Sequence, residues 1–268
     1  MLYSQHSSWT AGNERTFPQP PMSETPMRFC IRRGIDFENS RTQLEQVRGI
    51  PIELALPSSL DTLLRDQHRL ADVERQVREF DIPVRSVHAP HGDLGDGTFR
   101  NWAGTMIQFA EALGSEMLVF HPEERPEGTR KDEQSSVLLN IKYLQDRTAV
   151  MIAVETFWDK DRVLTPDEIM EHRLPMVLDT SYIPKSEVTW IIESYRTHLV
   201  NIHLSAVTPG GGRTAGRQFR PIDNDPFCMD LLDRLHELGW DGVVTLEYVP
   251  WLSGKAIEDR KLLEQIYC

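Results

Sequence analysis

Cysteine is scarce in this chain of 268 residues: Cys30, Cys228 and Cys268 stand far apart and form no Cys-x-x-Cys pair. That spacing offers neither a disulfide framework nor a zinc knuckle, so reduced thiols are the default. Long apolar runs are missing too, none approaching the roughly 20 residues that a membrane span needs. Positive charge is in deficit, with Lys+Arg 29 against Asp+Glu 41, a formal net charge of -12 and a pI near 5.2. Such a balance argues against a surface that neutralises phosphate backbones and favours a small-molecule partner over nucleic acid. The first 26 residues lack the basic segment followed by an apolar one that marks a secretory signal, so a cytoplasmic location is expected. They are polar, with four prolines and no apolar period, and read as an irregular extension (1–26) whose Trp9 and Phe17 are its few groups able to pack.

From Met27 to Cys268 the chain alternates short apolar runs with amphipathic segments. The runs lie near Arg28–Arg33, Pro51–Leu56, Val84–Ala89, Met117–His121, Val150–Glu155, Met176–Asp179, Leu199–Leu204 and Gly242–Tyr248. Helical periodicity falls at Leu60–Phe80, Phe99–Leu113, Gln134–Asp146, Pro166–Glu171, Lys185–Thr197, Pro226–Leu238 and Ala256–Ile266, with Gly114 and Gly239 as stops. Alternation of this kind predicts parallel strands joined by crossover helices. Eight such strands predict a closed (β/α)8 TIM barrel, and the absence of a glycine-rich phosphate fingerprint after the first run disfavours a doubly wound open sheet.

Four of the runs end in a ligand-type side chain: Glu155 in IAVETF, Asp179 in PMVLDT, His203 in VNIHLS and Glu247 in VVTLEY. The last residue of a parallel strand delivers its side chain to the mouth where the active sites of β/α barrels are built. Three carboxylates and one imidazole are a donor set suited to a hard or borderline divalent cation. One divalent metal ion is therefore expected as cofactor. Glu155 and Glu247 are the catalytic candidates, since carboxylates on opposite sides of a bound substrate can remove a proton on one face and return it on the other.

Other polar groups border the same mouth. His88 and His91 in SVHAPHGDLGDG and His121 in LVFHPEE are candidates for a second metal, for substrate hydroxyls or for proton shuttling, with substrate contact preferred for His88 and His91. Glu53, inside IELAL, reads equally as a functional buried carboxylate or as half of an interior ion pair. After the fifth strand, Trp158 offers an apolar wall and Asp161 an acid facing substrate or solvent. The segment VTPGGGRTAGRQFRPIDND carries Arg213, Arg217 and Arg220, able to meet a phosphate, a carboxylate or a polyol oxygen; Arg220, nearest the return to the barrel, is the first choice.

The ordered set IEL, HAPH, FHP, VET, LDT, IHL and LEY resembles the xylose isomerase-like barrel superfamily, which includes sugar phosphate isomerases and epimerases, ketose 3-epimerases, inosose dehydratases and endonuclease IV. In the epimerase branch a manganese, magnesium, cobalt or related ion (zinc and iron are also compatible) is held at positions matching Glu155, Asp179, His203 and Glu247. The two glutamates there exchange a substrate proton through an enediolate. The resemblance thus implies an isomerase or epimerase of a small sugar or polyol carbonyl compound, with a homo-oligomer compatible. A dehydratase, an endonuclease IV-like phosphodiesterase and a non-catalytic barrel are the alternatives. Asp161 resembles a second acid of that branch, and Tyr182 stands where many epimerases place a substrate-contacting His. The endonuclease IV pattern matches at His91, His121, Glu155, Asp179, His203 and Glu247. It departs at Tyr182 and at FRPIDND, where that family has histidines, which speaks against a complete three-metal cluster.

Overall fold

The computed structural model describes residues 26–122, 131–157, 164–207 and 219–268. The expected N-terminal extension, with Trp9 and Phe17, lies outside them, as do Trp158, Asp161, Arg213 and Arg217.

Eight parallel strands close into a barrel: β1 (Arg28–Gly34), β2 (Ile52–Ala55), β3 (Val84–His88), β4 (Met117–Phe120), β5 (Met151–Glu155), β6 (Met176–Asp179), β7 (Leu199–Leu204) and β10 (Val243–Leu246). β10 closes the ring between β7 and β1. Between β7 and β10 a short antiparallel ribbon, β8 (Ala206–Val207) with β9 (Phe219–Arg220), flanks the glycine-rich segment. The helices are α1 (Ser40–Glu45), α2 (Leu60–Asp66), α3 (Leu70–Glu79), α4 (Phe99–Ala112), α5 (Lys131–Gln145), α6 (Pro166–Glu171), α7 (Lys185–Tyr195), α8 (Pro226–Glu237) and α9 (Ser253–Tyr267).

Local signals account for several boundaries. Gly114 and Gly239 stop α4 and α8 at φ of 65° and 63°, a region that costs a glycine little. Thr165 and Glu168 form a reciprocal capping box on α6, and Asp225 caps α8 ahead of Pro226. The single helix expected over Leu60–Phe80 is instead two, joined by a 3-10 turn at Gln67–Arg69. The polar stretch Asp66–Arg69 offers no apolar side chain to hold a continuous helix on the barrel, and burial resumes only at Leu70. The short α1 escaped the periodicity because it has buried only Ser40 and Leu44 to show for itself.

Alternation along each strand separates two environments. Outward residues such as Phe29, Ile31, Leu54, Val87, Leu118, Val154, Leu178, Ile202 and Leu246 join helix residues such as Val73, Met106, Ile141, Ile191 and Leu263 in the main core. Inside the barrel, Met117, Val119, Ala153 and Val177 form a small apolar cluster under β4 to β6. The remaining interior is polar and buried, with Glu53, Ser86, His88, Asn201, His203 and Thr245 all at most 3% exposed. That polar half carries the candidate site.

Candidate metal centre

Glu155 and Asp179 end β5 and β6, His203 sits one residue before the end of β7, and Glu247 follows β10 directly. The fold brings them together: one ligand atom from each lies within 4.8 Å of the other three. Metal–ligand bonds of about 2.0–2.6 Å place donors on one ion at separations of that order. His203 Nδ1 lies 3.2 Å from Glu155 Oε1 and 3.3 Å from Glu247 Oε2. The ring's other nitrogen, Nε2, faces Glu53 Oε2 at 3.1 Å, and the same oxygen accepts from Ser86 Oγ at 2.7 Å and Asn201 Nδ2 at 3.2 Å. Glu53 is therefore both an interior ion-pair partner and the group that fixes one face of the imidazole, the role a carboxylate plays behind a metal-binding histidine.

Glu155 is shared. Its second oxygen meets His88 Nε2 at 2.8 Å and His121 Nε2 at 2.7 Å, so His88, His121 and Glu155 form a second group able to hold a cation. Glu53, His88 and His203 form a third. His91 packs edge-on against His121 with ring centroids 4.2 Å apart, and its backbone N–H donates to Ser58 O at 2.9 Å. Aromatic rings continue the wall from His121 to Phe157 (5.2 Å) and on to Tyr182 (4.7 Å) and Phe219 (6.4 Å). Arg220 is half-buried on β9, opposite Ala206.

The charges explain themselves without a cation only by taking up protons. Burial opposes ionisation of Glu155, but His121 and His203 outweigh it and hold the carboxyl well below its usual range. For Glu247, Arg32 at 2.7 Å and His203 likewise overcome burial and lower the pKa. Burial also opposes ionisation of Glu53, yet His203, His88 and Arg32 bring it down to about 2. Asp179 goes the other way: burial, Glu247 and Glu155 raise it well above 3.8. Against burial, Glu53 and Glu155 raise His203 well above 6.5, while burial, Arg32 and His121 lower His88 to about 4. The raised values favour a proton on Asp179, which removes its own charge, and on His203, which with Arg32 sets positive charge against Glu53, Glu155 and Glu247.

Among the described residues Asp179 Oδ2 is buried and has no hydrogen-bond partner, although Oδ1 accepts from the Ser181 backbone N–H at 2.7 Å; Glu247 Oε2 is another buried oxygen without a hydrogen bond among them. Carboxylate oxygens buried without donors, converging on an imidazole nitrogen, fit a divalent cation.

Three partners in this network escaped the sequence reading: Arg32, Ser86 and Asn201. Ser86 and Asn201 carried a faint signal, standing two residues before His88 and His203 on the same strand face. Arg32 carried none, because RFCIRR offers Arg32 and Arg33 side by side and only the barrel's register, Arg32 opposite Glu53, turns the first inward.

No family model matches the chain, and no curated protein matches it in sequence. Solved structures do. A xylose isomerase domain containing protein from Salmonella typhimurium LT2 matches at 18% identity and a TM-score of 0.66, over 91% of this chain and 98% of its own. An E. coli 3-keto-D-glucoside 4-epimerase matches at 13% and 0.63, over 88% and 99%. An IolI protein with a bound zinc atom matches at 17% and 0.65, over 89% and 96%. An endonuclease IV from Thermus thermophilus also matches, at 14% and 0.60 over 89% and 99%, so the fold leaves a nucleic-acid substrate open. The chain has the fold of the xylose isomerase-like barrels.

Proposed function

We propose that the protein is a divalent-metal-dependent isomerase or epimerase of a small sugar or polyol carbonyl compound, with Glu155, Asp179, His203 and Glu247 as metal ligands. The convergence of those four ligand atoms within 4.8 Å, with Asp179 Oδ2 lacking any donor, carries this reading. The zinc atom of the IolI structure and the epimerase likeness support it. A divalent ion bound there would polarise the substrate carbonyl and acidify the neighbouring C–H.

The chain's own groups divide the proton work. Glu247 is the more accessible carboxylate, its side chain 13% exposed against 2% for Glu155, and Arg32 at 2.7 Å keeps it ionised and aimed. Glu155 is backed by His88 and His121. A proton taken by one glutamate from the carbon beside the carbonyl and delivered by the other to the opposite face inverts that centre; delivery to the adjacent carbon isomerises it. His91, Tyr182, Arg220, Trp158 and Asp161 are assigned to substrate contact.

Dehydration is the second reading, favoured by His121 Nε2 lying 2.7 Å from Glu155: an imidazole beside the base is placed to protonate a departing hydroxyl. Metal-loaded protein, incubated with a panel of ketoses and inososes in deuterated water, separates the two. Solvent deuterium at the α-carbon with no loss of water supports the isomerase or epimerase, and a dehydrated product supports the lyase. Glu155→Gln and Glu247→Gln should each slow exchange by about 10²–10⁴-fold. An absence of exchange across the panel, together with two or three bound metals and cleavage of abasic DNA, would overturn the carbohydrate reading in favour of the phosphodiesterase.

A further inference from the structure

At the same end of the barrel as the metal centre is an open cleft of about 620 Å³ lined by Arg33, Gln43, Gln46, Ser58, Pro250 and Trp251 among others. Its walls are the segments that follow β1, β2 and β10, three neighbours in the ring. Both flanks are tied to the centre. Arg33 follows Arg32, which pairs with Glu247; Trp251 comes four residues after Glu247, no more than about 14 Å along the chain. On the other side, Ser58 O holds the His91 backbone.

Arg33 is the anomaly. It is only 6% exposed, yet no carboxylate lies within 4.0 Å of its guanidinium among the described residues. Nη1 donates to Ser253 Oγ at 3.0 Å and Nη2 to Gln46 Oε1 at 2.6 Å, both neutral acceptors, and Nε, itself buried, has no acceptor among the described residues. Buried charges are ordinarily paired, because an uncompensated one costs several kcal/mol. Asp36 also lines the cleft, but its carboxylate is turned onto its own loop, accepting from the backbone of Glu38 and Asn39 and the side chains of Asn39 and Gln43.

We infer that this cleft receives an oxyanion, the phosphate monoester or carboxylate of a polyhydroxylated substrate whose carbonyl end lies at the metal centre. The assignment of that substrate rests on the proposed isomerase reading; the anion site itself does not need it. Arg33 would form a charge-assisted pair with the anion through its guanidinium, and the exposed indole of Trp251 would cover the ligand's C–H surface. Specificity then divides between the two ends of the substrate, the metal reading the carbonyl and Arg33 the charge.

Calorimetric titration of the chelator-treated protein with inorganic phosphate, and separately with acetate, tests the site without the metal. Saturable binding of phosphate assigns a phosphate ester, saturable binding of acetate a sugar acid, and either supports the site provided Arg33 carries it. Arg33→Met should weaken the bound anion by about tenfold to a hundredfold. Should that variant not fold, Gln46→Glu serves: the position is exposed, and the new carboxylate would occupy Arg33 Nη2 from where the amide oxygen now sits, displacing the anion to a similar extent. No saturable binding of either anion, or affinity unchanged in these variants, overturns the inference. Failure here leaves deuterium exchange at the metal centre untouched, whereas failure of the isomerase reading leaves the anion titration in place.

Discussion

Asp179→Asn should make the metal-free protein more stable and should shrink the further stabilisation that metal brings. The ordinary carboxylate value of 3.8 is raised in Asp179 by burial and by Glu247 and Glu155, and its Oδ2 meets no donor. An amide keeps Oδ1 for the Ser181 N–H and places an NH2 group where Oδ2 now faces acceptors. Relieving one buried unsatisfied oxygen is worth about 1–3 kcal/mol. At roughly 2–4 °C per kcal/mol for a chain of this size, the chelated variant should melt about 2–12 °C above wild type. Metal at a hundred times its dissociation constant should stabilise wild type by about 2.7 kcal/mol, or roughly 5–11 °C. Losing one ligand, with a hundredfold weaker site, reduces that gain at the same concentration to about 0.4 kcal/mol. The sign of the pH dependence follows. A carboxyl with a raised folded pKa retains a proton that the unfolded chain releases, so wild type loses stability relative to the variant as pH rises from 3.8 to the raised value, then levels off. Differential scanning fluorimetry with and without metal, across pH, reads all of this. A chelated variant that melts below wild type, or one that keeps the full metal shift, refutes the assignment of Asp179.

Metal binding should release protons, because Asp179 and His203 both hold theirs more tightly than usual, measurable as the dependence of binding heat on buffer ionisation enthalpy; no release would contradict the protonation pattern. Glu53→Gln should cost about 1.5–3 kcal/mol at pH 7 by removing the carboxylate behind His203 Nε2, while Glu155 and Glu247 still face His203 and Arg32. Because the Glu53 pKa is depressed from 4.5 to about 2, that cost should shrink as pH falls through this interval, in urea titrations at stepped pH. Gly242→Ala would drive a methyl into the Trp240 indole, itself buried and bonded to Leu199 O at 2.8 Å, and should cost about 1–3 kcal/mol with no effect on metal affinity. Tyr248→Phe removes a hydroxyl that accepts from the Ile222 N–H and donates to Asp259, so denaturation should show a loss of about 1–3 kcal/mol.

Much of the barrel was legible because its periods are local. Short apolar runs alternating with amphipathic segments gave the strands and most helices, and Gly114 and Gly239 marked their stops where the chain does turn left-handed. The break at Gln67–Arg69, the short α1 and the β8–β9 ribbon were not legible, since each rests on how much of its surface finds cover in three dimensions.

By itself the sequence determined that four ligand-type residues would reach the mouth, because in a β/α barrel the end of a strand has one place to go. It could not determine their distances, nor that Glu155 would be shared between His203 and the His88–His121 pair, nor that Glu53 would stand behind the imidazole. It also could not separate Arg32 from Arg33. Adjacent residues on a strand face opposite sides, and which side is the interior depends on pairing with strands far away in the chain. Only closure of the barrel sent one arginine to Glu247 and left the other buried at the edge of a cleft, without a partner of opposite charge among the described residues.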